Sequence, residues 1–136
     1  MRALFDTNVL LDIALARKPF AQAAFAAYAS IRDKGEKPLI APHSLATFYY
    51  IIAQAHGNAK ATEAVHDLIA TAEVAAFDHD AALSSMELGL ADFEDSMIVA
   101  TALASGAEMI LTRNGADFEG SPVAFETPEV FLDRSD

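Results

Sequence analysis

The sequence predicts an α/β fold with a largely parallel sheet covered by helices on both faces, and two observations carry that expectation. Short apolar, β-like runs alternate with longer stretches of helical periodicity along the whole chain. No linker, internal repeat or low-complexity stretch interrupts the alternation, so residues 1–136 are expected to form one domain.

Taken in order, "RALF" (2–5) is the first expected strand. "FAQAAFAAYASIRDKG" then sets Phe20, Ala24, Ala27, Tyr28 and Ile31 at helical spacing, with Gly35 as the stop. "PLIA" (38–41) is the second strand, and Ser44 is expected to cap a helix running to Gly57. Asn58 is expected to cap the next helix, "AKATEAVHDLIATA", before a third strand, "EVAAF" (73–77). A helix over "DHDAALSSMELG" follows. Then "DFEDSMIVATALASG" (92–106) predicts a helix that buries Ile98, Val99, Ala102 and Leu103. "EMILT" (108–112) and "PVAF" (122–125) complete five strands, and "PEVFLD" is a closing helical turn.

Composition narrows the chemistry. Cysteine is absent, which excludes disulfides and thiolate metal sites and fits a reducing, cytoplasmic location. No apolar stretch reaches the roughly 18 residues of a membrane span, and the first residues do not have the pattern of a signal peptide. Nine basic against twenty acidic residues give a net charge of −11. That balance opposes simple nucleic-acid binding, which rests on Lys and Arg, and favours cations or a basic protein partner.

The acids are not evenly spread. Asp6 ends the first apolar run, with Asn8 close behind, and in parallel sheets ligands bind outside the carboxyl ends of the strands. "ADFEDS" places Asp92, Glu94 and Asp95 at a helix start, Asp92 and Asp95 on one helical face. "LTRNGADF" brings Thr112, Arg113, Asn114 and Asp117 after the fourth strand. Taken singly, each has a structural explanation: a helix cap at Asp6 or Asp92, a turn at Asn114–Gly115. Together they fit metal-assisted phosphodiester hydrolysis, because hard ions such as Mg²⁺ and Mn²⁺ take carboxylate oxygens.

"LFDTNVLLD", "DFEDSMIVATALASGAEMILTRNGADF" and the closing "PEVFL" together resemble PIN-domain proteins, over nearly the whole chain. That family contains metal-dependent ribonucleases, many of them toxins of bacterial toxin–antitoxin pairs. The resemblance implies a five-stranded parallel sheet in order 3-2-1-4-5, a pocket for Mg²⁺ or Mn²⁺, and often a homodimer. It implies that Asp6 and Asp95 are the metal-binding acids, with Asp92 and Asp117 assisting catalysis. Asn8 and Thr112 match the family's usual neighbours of those acids and, with Asn114, are expected to orient phosphate and water; Arg113, which flanks the acids, is the expected phosphate contact, and the resemblance implies a basic antitoxin as the partner.

Two positions depart from the family's pattern. The glutamate usual in the helix after the second strand is expected near Tyr50, and no acid lies between Ser44 and Ile52. Asn114 stands where a fourth acid is common. These departures support an alternative function, a catalytically weakened PIN-like binding or assembly module. The four histidines show no paired zinc spacing; His43, preceding Ser44, could face the crevice, but a structural role is the expected one.

Overall fold

The computed structural model describes residues 1–134. Its five strands are β1 (Ala3–Phe5), β2 (Leu39–Ile40), β3 (Glu73–Val74), β4 (Met109–Leu111) and β5 (Ala124–Glu126). They form one sheet in order β3-β2-β1-β4-β5, every neighbouring pair parallel. The expected architecture and strand order are both present.

Seven helices connect the strands: α1 (Thr7–Ala14), α2 (Ala21–Asp33), α3 (Pro42–His56), α4 (Asn58–Thr71), α5 (His79–Leu88), α6 (Phe93–Ser105) and α7 (Pro128–Arg134). The period-two alternation of the strands divides the core between the sheet's faces. Ala3, Phe5, Ile40, Met109 and Leu111 pack with α1, α2, α3 and α4 on one side. Leu4, Leu39 and Ile110 meet Ile98, Val99 and Ala102 of α6, with Phe118, on the other. Central strands buried on both faces explain why β1 and β4 are continuous apolar runs without polar alternation. Phe5 is fully buried and sets its ring edge-on to Tyr28 at 5.3 Å between centroids, a contact that orients α2 over the sheet.

Several local expectations shift. Helix α1 is given no range by the sequence reading, although a cap at Asp6 implies a helix there, and Asp6 does cap it. Ser44 does not cap α3: Pro42 opens the helix, whose cap position is Ala41, because proline's fixed φ suits a first helical position. Asn58 is likewise inside α4 and makes no capping bond. Leu103 is 48 % exposed, turned outward from the face that buries Ile98, Val99 and Ala102. Asp92 does cap α6, accepting from the Glu94 amide at 2.7 Å. Gly106 ends that helix in the left-handed conformation, φ +70°, which glycine adopts without the Cβ clash. No helix among the described residues is long and apolar enough to cross a membrane.

Candidate active site

The carboxyl ends of β1, β2 and β4 open into a pocket of about 220 Å³. Asp6 enters it directly from β1. Its carboxylate is buried, 6 % exposed, and is held on two sides. The Thr7 amide donates to Oδ1 at 2.8 Å and the Thr112 hydroxyl donates to Oδ2 at 2.8 Å. Asp6 thus caps α1 and faces the pocket at once, so its structural and functional roles coexist.

Helix α6 presents its N-terminal turn from the opposite wall. Asp92, Glu94 and Asp95 all line the pocket, and the buried Ser96 hydroxyl accepts from the Leu90 amide at 3.1 Å. That bond ties the loop before the helix to its first turn and fixes how the acids are presented. Asn8 of α1, and Asn114 and Asp117 after β4, complete the polar lining. Of the eight candidate site residues read from the sequence, Asp6, Asn8, Asp92, Asp95, Asn114 and Asp117 therefore share one pocket.

Thr112 and Arg113 take other places than expected. Thr112 is fully buried behind Asp6, and its hydroxyl also accepts from the Asn114 amide at 3.1 Å. It positions Asp6 and the loop, and presents no free hydroxyl to a phosphate. Arg113 turns to the far end of α1 and grips Asp12, donating through Nε at 2.8 Å and a second guanidinium nitrogen at 3.2 Å. Its guanidinium also stacks 4.4 Å above the Phe20 ring. Arg113 acts on the pocket only through its field, which lowers the Asp6 pKa.

The electrostatics are dominated by unrelieved negative charge. Burial, followed by the charges of Asp6, Asp92, Asp117 and Glu94, pushes the Asp95 carboxyl up to about 7. Burial also raises Asp6 above 3.8, against the Thr112 and Thr7 hydrogen bonds and the charge of Arg113. Like charges crowded in low dielectric favour protonation or a counter-ion. The donor set consists of carboxylate oxygens, which suits a hard divalent cation. Among the described residues, however, no three His, Asp or Glu side chains are already gathered around one point that an ion could occupy. An ion there would be held by one or two carboxylates, with water filling the remaining positions, as Mg²⁺ commonly is.

Helix α3 holds what the sequence reading misplaced. Its pocket-facing positions are His43, Thr47 and Ile51, four residues apart along one face. Tyr50, where a glutamate was sought, is 67 % exposed and points away. Helical spacing from His43 would have identified Thr47 as the facing position. Thr7 links this helix to the start of α1, donating from its hydroxyl to the buried Ser44 Oγ at 2.7 Å.

A family model described as PIN domain matches residues 2–116. The chain belongs to the PIN domain family. No curated protein sequence matches it significantly. Among solved structures, this PIN domain is similar to a toxin–antitoxin complex from Klebsiella pneumoniae. That match has 26% identity and a TM-score of 0.69, over 93% of this chain and 97% of the other. It is also similar to VapBC2 from Rickettsia felis, bound to a DNA fragment from its promoter, at 16% identity and a TM-score of 0.75. That match covers 93% of this chain and 98% of the other. A third is VapC20 of Mycobacterium tuberculosis, described as cleaving the sarcin–ricin loop. It has 16% identity and a TM-score of 0.69, over 85% of this chain and 92% of the other.

Proposed function

We propose that this PIN domain is a divalent-metal-dependent endoribonuclease, the toxin of a toxin–antitoxin pair. One observation carries the reading: carboxylates from the end of β1, from α6 and from the segment after β4 converge on a single pocket, where burial and then their charges raise Asp95 to about 7. Asp6 and Asp95 would hold Mg²⁺ or Mn²⁺, with Asp92 and Asp117 assisting directly or through water. Such an ion, when bound, neutralises phosphate charge and activates water for attack.

The remaining work belongs to the chain. Thr112 and the Thr7 amide keep the Asp6 carboxylate in one orientation, with both of its oxygens engaged. Asn8 and Asn114 offer amide groups at the pocket rim to orient a phosphate and the attacking water. The acids repel RNA until a cation is present, so metal and substrate should bind with positive coupling.

The partner follows from charge and likeness. A net charge of −11 suits a basic antitoxin segment, and the similar structure from Klebsiella pneumoniae is a toxin–antitoxin complex. A homodimer using exposed apolar residues such as Tyr50, and a cytoplasmic location, belong to the same proposal.

A second reading has its own support. Thr47 and Ile51 give the pocket no carboxylate from α3, as a weakened, binding-only PIN module would have. Cleavage of RNA by purified protein with Mn²⁺, Mg²⁺ or EDTA separates the two, run beside Asp6→Asn and Asp95→Asn. Metal-dependent cutting lost in both variants supports the nuclease. Absence of metal-dependent cutting in the parent protein overturns it in favour of the module.

A further inference from the structure

The buried Asp12 carboxylate is met by more positive charge than it can use. Arg113 takes both of its oxygens, at 2.8 and 3.2 Å. Arg17 approaches the same carboxylate only to 3.6 Å, beyond hydrogen-bond reach, and its side chain is 33 % exposed. Lys18, the next residue, is exposed. Three cations thus share a corner with one carboxylate, and the corner stays positive even against the half charge of the α1 C-terminus. The backbone holds Arg17 in place. Its amide donates to the Asp12 carbonyl at 3.0 Å, and its carbonyl accepts from the Phe20 and Ala21 amides at 3.0 and 2.7 Å.

This corner adjoins the acidic pocket on two elements. Leu11 and Asn114 line the pocket, and Asp12 and Arg113 are their immediate neighbours in the chain. A strand of RNA approaching there meets a net charge of −11 and five carboxylates in the pocket lining. A bound metal ion answers the phosphate that is cut, but the flanking phosphates need Lys and Arg.

We propose that Arg17 and Lys18 hold backbone phosphates of RNA beside the one cut in the pocket. The inference rests on the nuclease reading and adds to it the surface on which the strand is seated. Arg113 is the anchor and not the contact, because its fork is spent on Asp12 and so leaves Arg17 free for a second anion. A guanidinium suits that role, since its planar fork matches two phosphate oxygens.

Cleavage of an end-labelled, random-sequence pool of single-stranded RNA by the whole protein with Mn²⁺, over a series of salt concentrations, tests this. Each phosphate contact on a single strand contributes about 0.7 to the slope of log affinity against log salt. Arg17→Gln and Lys18→Gln should each lower the salt slope of kcat/KM by about 0.7 and raise the apparent KM about fivefold at 0.1 M salt, with a far smaller effect on kcat. Lys34→Gln is the matched control. Lys34 is exposed and lies beside Met1 at the amino end of β1, opposite the pocket, so the same loss of charge there should leave the slope unchanged. Lys18→Gln alone carries the comparison if Arg17→Gln does not fold. Equal changes in all three variants assign the effect to bulk charge and overturn the corner. Unchanged KM and slope in Arg17→Gln and Lys18→Gln also overturn it, and either result leaves the nuclease reading standing. Absence of metal-dependent cutting by the parent protein overturns both.

Discussion

Two buried aspartates lie six positions apart in the same segment, and their surroundings differ completely. Asp12, 1 % exposed, is met by the forked guanidinium of Arg113, and Arg17 stands 3.6 Å away. Asp6 receives only a hydroxyl and an amide directly; the more distant charge of Arg113 lowers its pKa and that of Glu94 raises it, while its own charge adds to those that raise Asp95. A desolvated charge with a matched partner holds structure together, and a desolvated charge among like charges marks a place where something else must bind. The Asp12 cluster fastens the segment after β4 to the end of α1, while the Asp6 cluster stores repulsion.

The largest effect on stability should come from breaking the balanced pair. Arg113→Ala leaves Asp12 only the longer ion pair with Arg17 and is expected to cost about 3 kcal/mol in chemical denaturation. Arg113→Lys should recover only part of this, because lysine lacks the bidentate fork and the stack on Phe20. In the unbalanced cluster the expectation reverses. Asp95→Asn should abolish cleavage, by about a hundredfold or more on the scale of removing an electrostatic stabiliser, while leaving the metal-free protein as stable or more so. A marked loss of stability in that variant would contradict the stored repulsion.

The pH dependence sharpens the same contrast. Unfolded, the Asp95 carboxyl ionises near 3.8, whereas folded it keeps its proton to about 7. The folded state therefore binds more protons across that interval, and stability from this group falls as pH rises from about 4 to 7. His43 acts oppositely: its depressed pKa removes stability as pH falls below 6.5. Subtracting melting curves of Asp95→Asn from those of the parent isolates the carboxyl, and saturating Mn²⁺ should abolish the difference in slope.

Smaller effects follow at the edges. Thr112→Val removes the hydroxyl bond to the Asp6 carboxylate and should cost about 1–3 kcal/mol in denaturation, with weaker Mn²⁺ binding. Thr47→Glu tests which position of α3 faces the pocket. It should tighten divalent binding and lower metal-free stability, while Tyr50→Glu should change neither by more than about 0.5 kcal/mol, as for a surface substitution.

Much of this was legible in the residues. The unbroken apolar runs of β1 and β4 announced strands buried on both faces, and Asp92 announced its cap, because these depend on patterns within a few neighbours. A count of about six residues from Ser44 lands on Tyr50 and passes over Thr47, because a fixed spacing does not say which face of α3 carries His43, Thr47 and Ile51. Asp12 and Arg113 were missed as a pair because they are 101 positions apart, joined only when β1 and β4 lie side by side.

By itself, the sequence determined the alternation of elements, the excess of acid and which carboxylates fall at strand and helix ends; all follow from local period and composition. Tertiary structure alone decided which acids share a pocket, which one is neutralised by arginine, and which side chains of α3 face them. The reason is physical: a charge's energy depends on its desolvation and on neighbours distant in sequence, and neither exists until the chain has folded around it.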